Sequence, residues 1–224
     1  MSNESNSTED FQVLLKQFLK VAYLLTLKNG SFDVEDFSQN IIRTTEECKA
    51  LLSVLKSLQM VELISNPPGH YKITTGGKNN LKLVLLGGVF DIIHLGHIKT
   101  LKDAKELGDI LLVVIASDEN VIASKGRAPL NSQTNRAELL SNLDTVDIVH
   151  NGDPDPSNFL DVVIQFQVDV IALGYDQFET ENRLYELLNK RKLKHVEVIK
   201  LKTSIPNEKS SLKLKNLDAK SFDQ

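Results

Sequence analysis

The sequence predicts an α/β protein, a doubly wound five-stranded parallel sheet preceded by a small helical unit that ends in a hairpin. Three observations carry this. Beyond Leu81 short apolar runs alternate with helical periods, and a run such as Ile110-Leu111-Leu112-Val113-Val114-Ile115 is apolar throughout, as strands covered on both faces are. Before Leu81 the pattern is three amphipathic helices and two short strands around Ser65-Asn66-Pro67-Pro68-Gly69. Directly after the first apolar run beyond Leu81 stands Gly87-Gly88-Val89-Phe90-Asp91-Ile92-Ile93-His94-Leu95-Gly96-His97. There a strand stops at a glycine pair and returns into a helix. Two imidazoles and the open N–H groups of a helix start then face one place, which favours an anion.

The elements follow in order. Residues 1–10 are polar and acidic and read as a disordered tail. Phe11, Leu14, Leu15, Phe18, Leu19, Ala22 and Leu25 recur at spacings of three and four, one face of a helix that Asn29-Gly30 stops. A short helix across Val34–Asn40 has Asp33 as its cap. A third helix carries Leu51, Leu52, Val54, Leu55 and Leu58, with Thr44 or Thr45 as cap and Glu47 placed for a capping box. Val61–Ile64 and Tyr71–Thr74 make the hairpin, so residues 11–76 form the first domain. Gly76-Gly77-Lys78-Asn79-Asn80 reads as a hinge. In the second domain, residues 81–217, strands are expected at Lys82–Leu86, Ile110–Ala116, Val146–His150, Val170–Leu173 and Val196–Leu201. Helices are expected at Leu95–Leu107, Ser132–Leu143, Asn158–Phe166 and Glu181–Lys192, with a short one from Ser211. Right-handed crossovers place the ligand crevice at the carboxyl ends of the strands.

Composition narrows the function. The chain has 224 residues, 41% of them hydrophobic and 25% charged, with a formal charge of −4. That balance opposes a role in coating nucleic acid or an anionic membrane. No apolar stretch approaches the roughly 20 residues that span a bilayer, and the start of the chain is unlike a presequence. Cys48 is the single cysteine, so no intrachain disulfide is available. A cytoplasmic protein is expected.

Gly88-Val89-Phe90-Asp91 and His94-Leu95-Gly96-His97 resemble the signature of the nucleotidyltransferase superfamily that includes cytidylyltransferases and adenylyltransferases. The resemblance covers the second domain and implies a Rossmann-like fold. It also implies attack of a phosphate on the α-phosphate of a nucleoside triphosphate, with pyrophosphate leaving. Such chemistry rests on positioning and electrostatic stabilisation. His94 and His97 would donate to phosphoryl oxygens when neutral, or add charge if protonated. Gly88, Val89 and Phe90 would present backbone to phosphate, although Val89 replaces the usual hydroxyl residue, and Gly96 lets the backbone approach closely. No cysteine stands near the histidines, so the zinc reading of His94 and His97 is weak.

The same resemblance extends to other positions. It places Asp118 at the end of the second strand and Lys125 and Arg127 in the following loop, where the family sets a basic residue on the triphosphate. Arg136 falls at the family's Gln-Arg position, with Asn135 replacing the glutamine. Gly174 and Asp176, after the fourth strand, would meet the ribose or base, and Ser210 and Ser211 would grip the outer phosphates at a helix start. Lys202-Thr203 stands where cytidylyltransferases carry an arginine-rich element. A divalent cation, Mg²⁺, would accompany the triphosphate, held mainly by phosphate oxygens and water.

Lys125–Pro129, Leu173–Gln177 and Lys209–Ser211 are most similar to archaeal FAD synthases, which are FMN adenylyltransferases; ATP and FMN are then the implied substrates. Gly96–Lys99 and Ala104–Asp109 are shared with glycerol-3-phosphate cytidylyltransferases, which keeps CTP and a phosphorylated alcohol as the alternative. The first domain resembles a winged helix, so a nucleotide-sensing DNA-binding regulator is the third reading. Across residues 1–80 eight basic residues stand against nine acidic ones, and with Glu46-Glu47 at the start of the third helix this opposes DNA and leaves a structural, dimerising or regulatory role.

Overall fold

A computed structural model describes the backbone of residues 2–174 and 178–202, with side chains from residue 11 and, after the break, from residue 182. The chain divides into two compact units, Met1–Leu81 and Lys82–Gln224.

The first unit opens with α1 (Ser2–Asn29), which packs Leu15, Phe18, Leu19, Ala22, Tyr23 and Leu25 inward. Residues 2–10, expected as a disordered tail, continue this helix at its N-terminal end; neither glycine nor proline interrupts them. α2 (Val34–Gln39) is closed by a reciprocal box between Asp33 and Asp36, and α3 (Thr45–Ser57) by one between Thr44 and Glu47. The hydrogen bonds donated by the Thr44 backbone N–H and by its hydroxyl hold the Glu47 carboxyl below the usual range. The antiparallel strands β1 (Val61–Leu63) and β2 (Tyr71–Ile73) form the hairpin, and Phe32 bridges to Tyr71. Phe32 and Phe37 stack at 5.6 Å in the core.

The expected hinge is instead a helical turn, α4 (Thr75–Lys78), capped by the Thr74 hydroxyl. Gly77 is buried there because the chain passes close: a Cβ at this position would lie 2.1 Å from the Met60 carbonyl oxygen. Gly77 serves close approach rather than flexibility.

The second unit is a five-stranded sheet in the order β5-β4-β3-β6-β7, with every neighbouring pair parallel. The strands are β3 (Leu83–Gly88), β4 (Ile110–Ile115), β5 (Ile148–Asn151), β6 (Val170–Leu173) and β7 (Glu197–Lys200). Crossovers run through α5 (Leu95–Lys105), α6 (Asp118–Lys125), α7 (Gln133–Ser141), α8 (Phe159–Phe166) and α9 (Phe178–Lys190). Val84, Leu86, Leu111, Val113, Ile115, Val170 and Ala172 face a core closed by Leu101 and Ala104 of α5 and Leu140 of α7. Residues of alternate parity, such as Leu83, Leu85 and Leu112, are buried on the opposite face, the one on which His150 meets Phe166 of α8 edge-on.

Aspartates at the start of three strands set the register. Asp109 accepts the Lys82 N–H at 2.7 Å, Asp169 that of Leu83 at 2.7 Å, and Asp147 that of Leu111 at 2.8 Å. Each satisfies an N–H at the open amino edge of a neighbouring strand. Asp147 also pairs with Lys105. The doubly wound fold agrees with the sequence reading, with shifted ends for some elements. One helix was missing from that reading: α6 occupies the segment expected as a loop carrying Lys125 and Arg127.

Candidate active site

β3 is central, so its carboxyl end opens where the crossovers diverge, and the chain there turns sharply. Phe90 takes φ = +50°, a left-handed conformation that a non-glycine residue adopts only when its surroundings enforce it. Its ring folds back and is buried over Gly88, where an added Cβ would lie 2.5 Å from Phe90 Cε2. Glycine at 88 is thus the space in which the Phe90 ring rests. The Gly88 carbonyl accepts the Ala116 N–H at 2.9 Å, locking the ends of β3 and β4 together.

His94 is the N-cap of α5 in extended conformation, and its side chain does not cap the helix. The first turn of α5 contains Gly96 and His97 and directs its N–H groups toward the same opening. The His94 and His97 rings stack with centroids 3.9 Å apart, and Phe90 packs against His97 at 5.2 Å. Burial pushes the His97 imidazole down to about 4, with smaller contributions in the same direction from His94 and Lys125 and an opposing pull from the Ile92 backbone. His97 is therefore neutral near pH 7, which decides between the two forms the sequence left open. Its Nδ1 is buried.

Ser117 caps α6, and Lys125 is the last residue of that helix. Gly126 takes φ = +66° and closes it, and the exposed Lys125 ammonium acts electrostatically on His97. Arg127 is half-buried beyond this cap and turns Nη1 toward the Ala128 carbonyl at 3.5 Å. Gly174 is half-buried immediately after β6. Asp176, Ser210 and Ser211 lie outside the described residues.

Asp118 opens α6, and its carboxylate accepts from Arg136 at 2.6 Å. Arg136 is 1% exposed. Sequence reasoning placed it only by resemblance, because an arginine in a helix gives no outward sign of burial. Asp91 was missed as a separate contributor: its carboxylate accepts the N–H groups of Leu130 and Asn131 at 3.0 and 2.9 Å. Its place in Phe90-Asp91 was the available signal. The structure thus gathers Gly88, Val89, Phe90, His94, Gly96 and His97 at one strand–helix turn, with Lys125 in electrostatic reach.

Comparison with known proteins matches this arrangement to a family. The cytidylyltransferase-like family model matches residues 85–217. The FAD synthase of Thermococcus sibiricus is 48% identical over 118 residues, covering 53% of this chain and 78% of its own length. The FAD synthase of Pyrococcus horikoshii is 50% identical over 123 residues, with coverages of 53% and 78%. A solved structure from Thermoplasma volcanium, described as a lipopolysaccharide core biosynthesis protein, is 36% identical with a TM-score of 0.52; the match covers 56% of this chain and 99% of that one. A doubly wound sheet with a glycine-ended central strand and stacked histidines at the following helix start, matched by a family model over more than half its length, places this chain in the cytidylyltransferase-like family as a nucleotidyltransferase.

Proposed function

We propose that the chain is an FAD synthase, transferring AMP from ATP to FMN with release of pyrophosphate. The observation that carries this reading is the identity of 48–50% with archaeal FAD synthases over 78% of their length, beside the stacked His94 and His97 at the strand–helix turn. In the reaction an FMN phosphate oxygen bonds to the α-phosphorus of ATP, and the bond from that phosphorus to the bridging oxygen breaks, so the electron pair leaves with pyrophosphate. Neutral His97 donates a hydrogen bond to a phosphoryl oxygen in the transition state, with His94 stacked beside it. The α5 N–H groups and the backbone of Gly88–Phe90 hold phosphate oxygens, and the Lys125 charge supports the triphosphate.

Among the described residues no group of three or more His, Cys, Asp or Glu side chains could hold a metal ion. Mg²⁺ fits this site as part of the MgATP substrate, ligated by phosphate oxygens and water rather than by a protein cage. Among the described residues no helix is long and apolar enough to cross a membrane.

The N-terminal unit, with three helices and a hairpin in winged-helix order, serves protein contact, with homodimerisation as the simplest form. On α3 Lys49 is paired with Glu46 at 2.8 Å, and on the hairpin Lys72 with Glu62 at 3.0 Å, so these cations are already answered. Val54 on α3 and Leu58 at its C-cap are exposed, and Leu58 borders an open groove of about 660 Å³ over Met60 and Ile73. Such a face suits protein better than a phosphate backbone.

The deciding experiment incubates the full chain with ATP or CTP, and with FMN or glycerol 3-phosphate, and follows pyrophosphate and the adduct. FAD formation from ATP and FMN is expected. Preferential turnover of CTP with glycerol 3-phosphate would replace this reading with the cytidylyltransferase one.

A further inference from the structure

Arg136 is the bulkiest fully buried side chain among the described residues, and it is charged. Nε donates to the Asn131 carbonyl at 3.0 Å and Nη1 to the Val89 carbonyl at 2.6 Å. Nη2 donates to the Ala116 carbonyl at 2.8 Å and to Asp118 Oδ1 at 2.6 Å. Each acceptor belongs to a different part of the active-site rim. Val89 precedes the left-handed Phe90, Ala116 directly follows β4, Asp118 opens the helix that carries Lys125, and Asn131 belongs to the segment held by Asp91.

A buried guanidinium is costly unless its donors are satisfied and its charge is answered. Four oxygens from three stretches of chain meet that requirement here, and only one of them is formally charged. With its side chain wholly inaccessible, Arg136 cannot itself reach a phosphate. Asp118 is 37% exposed, and unpaired it would repel an approaching triphosphate; against Arg136 its charge is neutralised. α6 has little else to hold it: Val121 is its single buried side chain, and Asn120 donates to the Asp153 carbonyl at 2.9 Å.

We infer that Arg136 is a positioning residue of the nucleotidyl transfer, clamping the Val89–Phe90 turn to the start of α6 so that His97 and Lys125 keep their places, with Asp118 as its counter-charge rather than a nucleotide ligand. This rests on the transferase reading of the site. Lysine cannot replace the arginine, because a single ammonium lacks the planar fork that serves four separated acceptors.

The test uses the full chain as wild type, Arg136→Lys and Asp118→Asn. Steady-state pyrophosphate release with ATP and FMN is measured beside an NMR titration of the His97 ring and thermal melting without nucleotide. Arg136→Lys should lower kcat by about 10²-fold, as a small misplacement of reacting groups does, while KM for ATP changes less than about threefold. Its His97 midpoint should rise from about 4 toward 6.5, because a loosened Phe90 admits water to the ring flanked by His94 and Lys125. Asp118→Asn should lower the melting temperature and move the same midpoint upward by less. Two results overturn the inference: wild-type kcat and an unmoved midpoint in Arg136→Lys, or an Asp118→Asn protein whose KM for ATP rises about tenfold with unchanged melting and His97 titration. Should Arg136→Lys not fold, Asp118→Asn decides alone. A wild type inactive on ATP with FMN counts against the proposed reaction, and the titration arm still decides the clamp.

Discussion

At the level of single residues the site depends on one unfavourable backbone conformation. Phe90 holds φ = +50° because its ring has a resting place over Gly88 and a partner in His97. Gly88→Ala would place a methyl 2.5 Å from that ring and displace it. The expected result is a loss of kcat of about 10²-fold with a smaller effect on KM, checked by steady-state kinetics. His97→Ala should cost about 10²–10³-fold in kcat while circular dichroism stays unchanged. The His97 imidazole, lowered by burial to about 4 against an ordinary 6.5, also links stability to pH. The unfolded chain binds the proton first, so stability is fully present above 6.5 and is lost as pH falls through 4. Denaturant melts over this window should show a shallower decline for His97→Asn than for wild type. For the same reason kcat/KM should not fall between pH 8 and 6 through protonation of His97.

The elements explain what the sequence disclosed and what it concealed. Periodicity exposed α1 and α3, and unbroken apolar runs exposed β3, β4 and β6, because in each case burial repeats at the element's own period. α6 was concealed for the converse reason. With Val121 as its one buried residue it has no apolar stripe, and only its ends, the Ser117 cap and Gly126, mark it. Gly76-Gly77 misled because flexible and tightly packed glycines look alike in sequence. Gly77→Ala should destabilise the first unit by about 1–3 kcal/mol or more, since backbone at Met60 must move, and calorimetry should detect it. Asp169→Ala leaves the Leu83 N–H without its 2.7 Å acceptor at the start of the central strand and should cost about 1–3 kcal/mol in a chemical melt.

Across the whole molecule, the division near Leu81 and the strand–turn–helix site were both readable, because each rests on local pattern. The web around Arg136 was not, because its four acceptors come from positions 89, 116, 118 and 131 and meet only in three dimensions. MgATP should raise the melting temperature of the second unit, by about 2.7 kcal/mol of stabilisation at a hundred times its Kd, and more than CTP at equal concentration. The same chain should give no salt-dependent shift of duplex DNA in a gel.

The strand-starting aspartates have a practical consequence. Asp109, Asp147 and Asp169 all sit at the amino edge of the sheet, whereas Gly88, Phe90 and Gly174 sit at its carboxyl edge. Robustness and reactivity are therefore written into opposite rims of one platform. Substitutions aimed at hardiness can be made along the amino rim so long as these three carboxylates are kept, and such changes lie at the far end of the strands from His94 and His97.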